Sequence, residues 1–321
     1  MRKRILSTFF GALSLFLFSC SDKPASPAEG NSSATESSGV DAETPPVKEA
    51  FAPDAGQQAG TEETVQPIPP AGAGALARIQ EVLRKANPDY RGQGRFHEEG
   101  GDIVAAELPN CSLRDLSPLR GLKLQMLDLS NNPVREIRHL QGMPLKVLYL
   151  ENTDVVSLKS LREAGLRELR LNNSPVESLD GLQGQPLENL YAVKTRINDV
   201  EPLRKSNLRG LWLTDSPVSD LSPLGGLPLV SLTAHRTLVN DLSFVRKLPV
   251  LQRLHIGETL IEDLSPLEGV RLTRLVFTPS RIKRGMDSAK RLQGLTEIGA
   301  AFDDQRQELM PPAQFWAQFG K

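Results

Sequence analysis

LQMLDLSNNPVREIRHLQGMP occupies residues 124–144, LKVLYLENTDVVSLKSLREAG follows over 145–165, and LRELRLNNSPVESLDGLQGQP over 166–186. Aligned one beneath the next, these stretches put Leu124, Leu145 and Leu166 in one column and Leu127, Leu148 and Leu169 in another. Further columns are Leu129, Leu150, Leu171; Asn132, Thr153, Ser174; and Val134, Val155, Val176. The register runs on through copies opening at Leu187, Leu208, Leu229 and Leu251, spaced 21 or 22 residues apart. It fades at both ends, into Ile103, Ala106, Leu108, Cys111 and Leu113 on one side and Leu272, Leu275, Phe277, Ser280 and Ile282 on the other.

A period of this length with L-x-x-L-x-L-x-x-(N/T/S)-x-(V/I) in each copy is the signature of a leucine-rich repeat. Each L-x-L segment reads as a short strand, with Leu127 and Leu129 turned inward and Met126, Asp128 and Ser130 outward. One copy cannot stand alone. About seven buried apolar side chains contribute ~10–20 kcal/mol, which the ordering of some 21 residues matches or exceeds. Stacking lets every copy bury both faces, so the sequence predicts a quasi-one-dimensional α/β-type solenoid. Its concave wall is a curved parallel sheet, and nine strands at ~4.8 Å give a ladder roughly 40 Å long. The convex returns, too short for full helices, should be extended or 3-10 segments. Ser117-Pro118-Leu119, Ser222-Pro223-Leu224 and Ser265-Pro266-Leu267 there place a hydroxyl before a proline, which predicts a serine cap. The column of Thr153, Ser174, Thr195, Ser216, Thr237, Thr259 and Ser280 is expected to satisfy backbone groups where the strand bends away.

An open stack needs covers at both ends. Leu76, Ile79, Leu83 and Ala86 recur at helical spacing ahead of Pro88, so a capping helix is predicted over about residues 74–87, within a lead-in over 73–100. The repeats take up 101–284. A C-terminal cap over 285–321 should contain a helix near Ala289 to Leu292, a last strand around Leu295 and Ile298, and a plug of Phe315, Trp316 and Phe319.

The remaining segments are not repeat-like. Residues 1–19 join the basic Arg2, Lys3 and Arg4 to an apolar run, as a targeting segment does. Residues 20–72 are rich in Pro, Ser, Ala, Glu and Gly and read as a disordered, acidic tether. Nine carboxylates against Lys23 and Lys48 give residues 21–72 a balance of −7, which leaves +3 for the chain beyond the tether and the basic start. That near-neutral domain gives a nucleic-acid surface no support. Cys111 and Cys20 are the two cysteines, and His97, His139, His235 and His255 show no ligand spacing, so neither a disulfide framework nor a metal or cofactor site is expected.

Two resemblances add to this reading. Leu17-Phe18-Ser19-Cys20 resembles the bacterial lipobox, which implies lipidation of Cys20, anchorage to a membrane and a place in the cell envelope; an ordinary signal peptide with an incidental cysteine is the alternative. The Asp-Leu-Ser-Pro-Leu returns at 115–119, 220–224 and 263–267 resemble those of internalin-type bacterial leucine-rich repeats. The stretch from about Leu76 to Phe319 is similar to a module of some bacterial serine/threonine kinase chains and envelope proteins. The likeness implies a non-enzymatic protein-interaction scaffold. The chain departs from internalins in lacking an evident wall anchor, and from the kinase chains in lacking a kinase domain.

Motifs for chemistry are misleading here. Residues 72–77 match G-x-G-x-x-A but follow Pro67, Pro69 and Pro70 rather than a strand. Residues 91–96 imitate part of an RNA-binding signature without its aromatic pair. Asp303-Asp304 reads as a solvated pair. The informative feature is the outward row Glu107, Asp128, Tyr149, Arg170, Tyr191, Trp212, Thr233, His255, Val276. It gathers two of the three tyrosines and one of the two tryptophans, types enriched at binding hot spots. Acidic groups lie toward its N-terminal end, and Arg253, His255 and Arg274 toward the other. The candidate partner-binding residues are therefore Asp128, Tyr149, Arg170, Tyr191, Trp212, His235, Arg253 and His255, for a protein or a glycan. Aromatic rungs also stabilise sheets without any ligand, so a purely structural spacer is the competing expectation.

Overall fold

The computed structural model describes residues 74–300 and 309–320. The targeting segment, Cys20, the tether and Asp303-Asp304 lie outside the described residues.

Eleven strands form one open sheet in chain order. Strands β1 (Arg95–Glu99) and β2 (Asp102–Glu107) make an antiparallel hairpin. Then come β3 (Met126–Asp128), β4 (Val147–Tyr149), β5 (Glu168–Arg170), β6 (Asn189–Tyr191), β7 (Gly210–Trp212), β8 (Ser231–Thr233), β9 (Arg253–His255), β10 (Arg274–Val276) and β11 (Glu297–Gly299). From β2 onward every pairing is parallel. The molecule is a leucine-rich repeat solenoid. The middle residue of each short strand points into the core, and Leu127, Leu148, Leu169, Leu190, Leu211, Leu232, Leu254, Leu275 and Ile298 are all fully buried.

The hairpin is an element the sequence reading missed, having taken 73–100 as a helix and lead-in only. Gly100 and Gly101 adopt φ 61° and 87°, the positive values that a two-residue hairpin turn requires and that glycine supplies without steric cost. The largely exposed, charged β1 is the sheet's N-terminal edge, where such charges discourage pairing with another chain.

Convex returns are 3-10 turns, among them Ser117–Leu119, Ser222–Leu224 and Ser265–Leu267. The expected serine cap is corrected: these serines are already inside the turn, and an aspartate two residues earlier does the capping. The backbone N–H groups of Ser117, Ser222 and Ser265 donate to Asp115, Asp220 and Asp263 at 2.7, 2.7 and 2.8 Å. The Ser117 and Ser222 hydroxyls donate to the second carboxylate oxygen. The two oxygens of one carboxylate thus take the backbone N–H and the serine hydroxyl separately, which leaves the serine a donor rather than the cap.

Six of the seven hydroxyls in the column behave as expected, whereas Ser280 is exposed within the 3-10 turn Pro279–Arg281, where the repeat phase is lost. Thr153, Ser174, Thr195, Ser216, Thr237 and Thr259 each donate to the carbonyl three residues earlier. Asn132 does more. Its Oδ1 accepts from the N–H groups of Cys111 and Leu113, and its Nδ2 donates to Leu108 in the preceding coil at 2.7 Å.

Helix α1 (Ala75–Ala86) closes the N-terminal end with Ala75, Ile79 and Leu83. Leu76, expected on that face, is 38% exposed, because the buried stripe follows a four-residue spacing and leaves it to one side. Asn87 stitches the helix to the first coil, accepting from the N–H groups of Arg114 and Asp115 and donating to the Asp115 carbonyl. At the far end α2 (Met286–Lys290) begins earlier than the sequence suggested, Leu295 precedes β11 instead of joining it, and α3 (Pro312–Phe319) buries Phe315. The expected aromatic plug is present: Phe315 packs on Phe277 at 5.7 Å between centroids and on Trp316 at 5.0 Å.

Candidate partner-binding face

Strand register decides which outward side chains are neighbours. Cα pairing joins Glu107 to Asp128, Asp128 to Tyr149, Tyr149 to Arg170, Arg170 to Tyr191 and Tyr191 to Trp212. Trp212 is then followed by Thr233, His255 and Val276. The row legible in the sequence is thus a physical row on the concave wall.

Its middle is a stack of planar groups. The Arg170 guanidinium carbon lies 4.3 Å from the Tyr149 ring centre and 5.0 Å from that of Tyr191. Tyr191 and Trp212 stack with centroids 4.3 Å apart and planes 8° from parallel. Contacts of these kinds contribute on the order of 0.5–1.5 kcal/mol each beyond buried area. Glu168, two residues before Arg170 on the same strand and face, anchors one end. Its Oε1 accepts from the Tyr149 hydroxyl at 3.0 Å and from Arg170 Nε and Nη2 at 3.0 and 2.9 Å.

The charges of the stack are mutually fixed. Burial, and then the Glu168 carboxylate beside it, push the Tyr149 phenol up and keep it a neutral donor. Burial works against the Arg170 charge, but Tyr149, Glu168 and Glu151 outweigh it and hold the guanidinium above its ordinary range. Burial also raises the Glu151 carboxyl, opposed by Arg170 and by the Asn172 amide, which donates to Glu151 at 2.6 Å.

The eight candidate residues do not share one environment. Asp128, Arg170, Tyr191 and Trp212 are half-buried, and Arg253 is exposed. Tyr149 and His255, expected on an open row, are buried, with only 8% and 7% of their surface exposed, and His235 has 1%. The imidazole of His235 lies over Gly257, where a Cβ would fall 2.8 Å from its Nδ1. Burial lowers both histidines, His255 to about 4, with Arg274 and Arg253 adding to the effect there. The predicted grading of charge is reduced as well, because Arg274 is engaged by Glu297 at 2.6 Å.

Among solved structures the chain is similar to two internalins of Listeria monocytogenes. One, inlF, gives a TM-score of 0.43 at 19% identity, over 76% of this chain and 95% of that one. The other, inlC2, gives 0.43 at 21% identity, over 65% of this chain and 97% of that one. These likenesses concern fold alone. No protein-family model and no curated protein matches the chain.

Sequence reasoning placed Glu168 beside the row as a flanking rung, with Met126, Val147 and Asn189, but missed Gly210. Gly210 too sits two residues ahead of a row member, hence on the same face, and that offset was the available signal. Also unseen was a rim of left-handed residues just past the strands: Asn131, Asn152, Asn173, Lys194, Asp215 and Arg236, with φ between 51° and 58°. Within it Asn152 donates to Asn131 at 2.7 Å and Asn173 to Asn152 at 2.8 Å. Among the described residues no three His, Cys, Asp or Glu gather as a metal site would require.

Proposed function

We propose that this chain is a non-enzymatic envelope protein that binds a protein partner on the concave wall of its repeats, with Tyr191, Trp212 and Arg170 at the centre of contact. The observation that carries the reading is the stack itself: rigid aromatic area, half open to water, held on consecutive rungs of a sheet that needs no rearrangement to present it. Preorganised aromatic and arginine groups of this kind lose little freedom on binding.

A protein suits the geometry better than a glycan. Sugars lie flat on open ring faces, whereas here the facing sides of Tyr191 and Trp212 are turned on each other and Tyr191 also faces Arg170. Much of what remains for a partner is ring edges with their polar tips, which suit side chains and backbone carbonyls.

The reading assigns residues 1–19 to targeting, Cys20 to lipid attachment and 20–72 to a tether with reach on the order of 40 Å. Residues 73–100 and 285–321 cap the repeats at 101–284. Two measurements test it. Cys20→Ser should move the protein from the membrane to the soluble fraction. In affinity capture from the native envelope, Trp212→Ala should lose the partner held by the wild-type chain, at a stability cost limited to about 1–2 kcal/mol for one half-buried, stacked ring. Equal capture accompanied by strong destabilisation would leave the row a purely structural element of a spacer.

A further inference from the structure

Tyr149, Arg170 and Trp212 lean toward the N-terminal ends of the strands, over the row formed by Val147, Glu168, Asn189, Gly210 and Ser231. Tyr149 and Arg170 both reach Glu168 in that row. Trp212 reaches Gly210. A Cβ built on Gly210 would lie 2.5 Å from Trp212 Cζ3, 2.7 Å from Cη2 and 2.7 Å from Asn189 Oδ1. Real Cβ atoms essentially never make contacts under 3.0 Å, so the indole fills space that any other residue at 210 would occupy. In that position it lies parallel to Tyr191.

We propose that Gly210 is the positioning residue of the partner-binding face. By lacking a side chain it lets Trp212 lie back over β7 and close the stack against Tyr191, so that the face meets a polypeptide edge-on. This deepens the binding reading above and rests on it. The pattern of the row supports it: where Tyr149 and Arg170 lean, the row supplies a long acceptor, Glu168, and where the bulky indole leans, it supplies a gap. Any side chain at 210 would turn Trp212 outward, part it from Tyr191 and leave an open indole face instead.

The test uses the full chain carrying Trp316→Phe, so that Trp212 is the sole tryptophan. Gly210→Ala should shift Trp212 emission to the red and remove the near-ultraviolet dichroism of the coupled Tyr191–Trp212 pair. Ser231→Ala, one rung along the same row, should change neither. Gly210→Ala should also lower the melting temperature, and adding Trp212→Ala should cancel most of that drop, because two of the three close contacts are with the rigid indole and the third, Asn189 Oδ1, is the end of a side chain that can turn aside. Unchanged emission and dichroism in Gly210→Ala would overturn the proposal, as would a melting drop that persists without the indole. These arms need no partner, so the positioning role stands or falls apart from the binding reading. That reading is tested separately, by an expected loss of roughly tenfold or more in retention of the captured partner by Gly210→Ala.

Discussion

Strands β4 to β7 and β8 to β10 carry the same outward row in unbroken register, yet the two stretches are different surfaces. In the first, planar groups stand against one another, and Arg170, Tyr191 and Trp212 remain half open. In the second, Thr233, His255 and Val276 are 3%, 7% and 0% exposed. Register decides the wall on which a side chain stands. Its exposure follows from the bulk and reach of its neighbours, which the repeat leaves free to vary.

The largest expected effect that would break this contrast is on pH dependence. The folded-state pKa of His255, about 4, lies below the ordinary 6.5, so the unfolded chain takes up the proton first. Stability is complete above about 6.5 and is lost as pH falls toward 4, by on the order of 3 kcal/mol. His235, also lowered, acts in the same direction. Denaturant midpoints at pH 7.5 and 4.5 should show this loss, and His255→Gln should flatten it; an equal slope in the variant would mean that His255 is not held neutral by its surroundings.

Next in size, Thr233→Tyr should destabilise the fold by about 1–3 kcal/mol, through overpacking of a buried rung. The same residue type is at home two rungs away, at Tyr191. If thermal melting showed no cost at 233, the second stretch would be as roomy as the first. Tyr149→Phe should cost about 1–2 kcal/mol in urea unfolding by deleting the hydroxyl donated to Glu168, since hydrogen bonds to charged acceptors exceed neutral ones. No change would detach Glu168 from the stack. Smallest of all, Lys194→Asn should raise the denaturant midpoint by an amount worth about 0.5 kcal/mol, because Lys194 sits at φ 55°, a conformation that asparagine tolerates better. It would also extend the side-chain ladder of Asn131, Asn152 and Asn173, and a lowered midpoint would show that the rim tolerates lysine without strain.

The solenoid was almost fully legible in the sequence. Every leucine of the three opening copies is buried as the columns require, and the row from Glu107 to Val276 is the row the strands form. Strand β1 escaped because it lies outside the period, though Gly100-Gly101 between charged flanks was the mark of a hairpin joining it to β2. The aspartate caps escaped because the serine beside each proline resembles a cap as closely as the aspartate does, and the hydrogen bonds decide between them. Of the candidate face, the aromatic and arginine members were readable. Glu168 was readable as a flanking rung but its role as shared acceptor was not, and Gly210 escaped altogether, since a glycine suggests no contact without knowledge of which side chain leans on it.

Period and residue type therefore determined the stack of coils, the burial of the leucines and the wall on which Tyr191 and Trp212 stand, because a fixed repeat of apolar side chains can be buried in only one register. Only the tertiary structure decided that Arg170 lies between two tyrosines, that Trp212 rests over Gly210 and that His255 is buried. Those outcomes depend on rotamers chosen by neighbours one coil away, about 21 residues distant in the chain, where local pattern carries no information about the space left to fill.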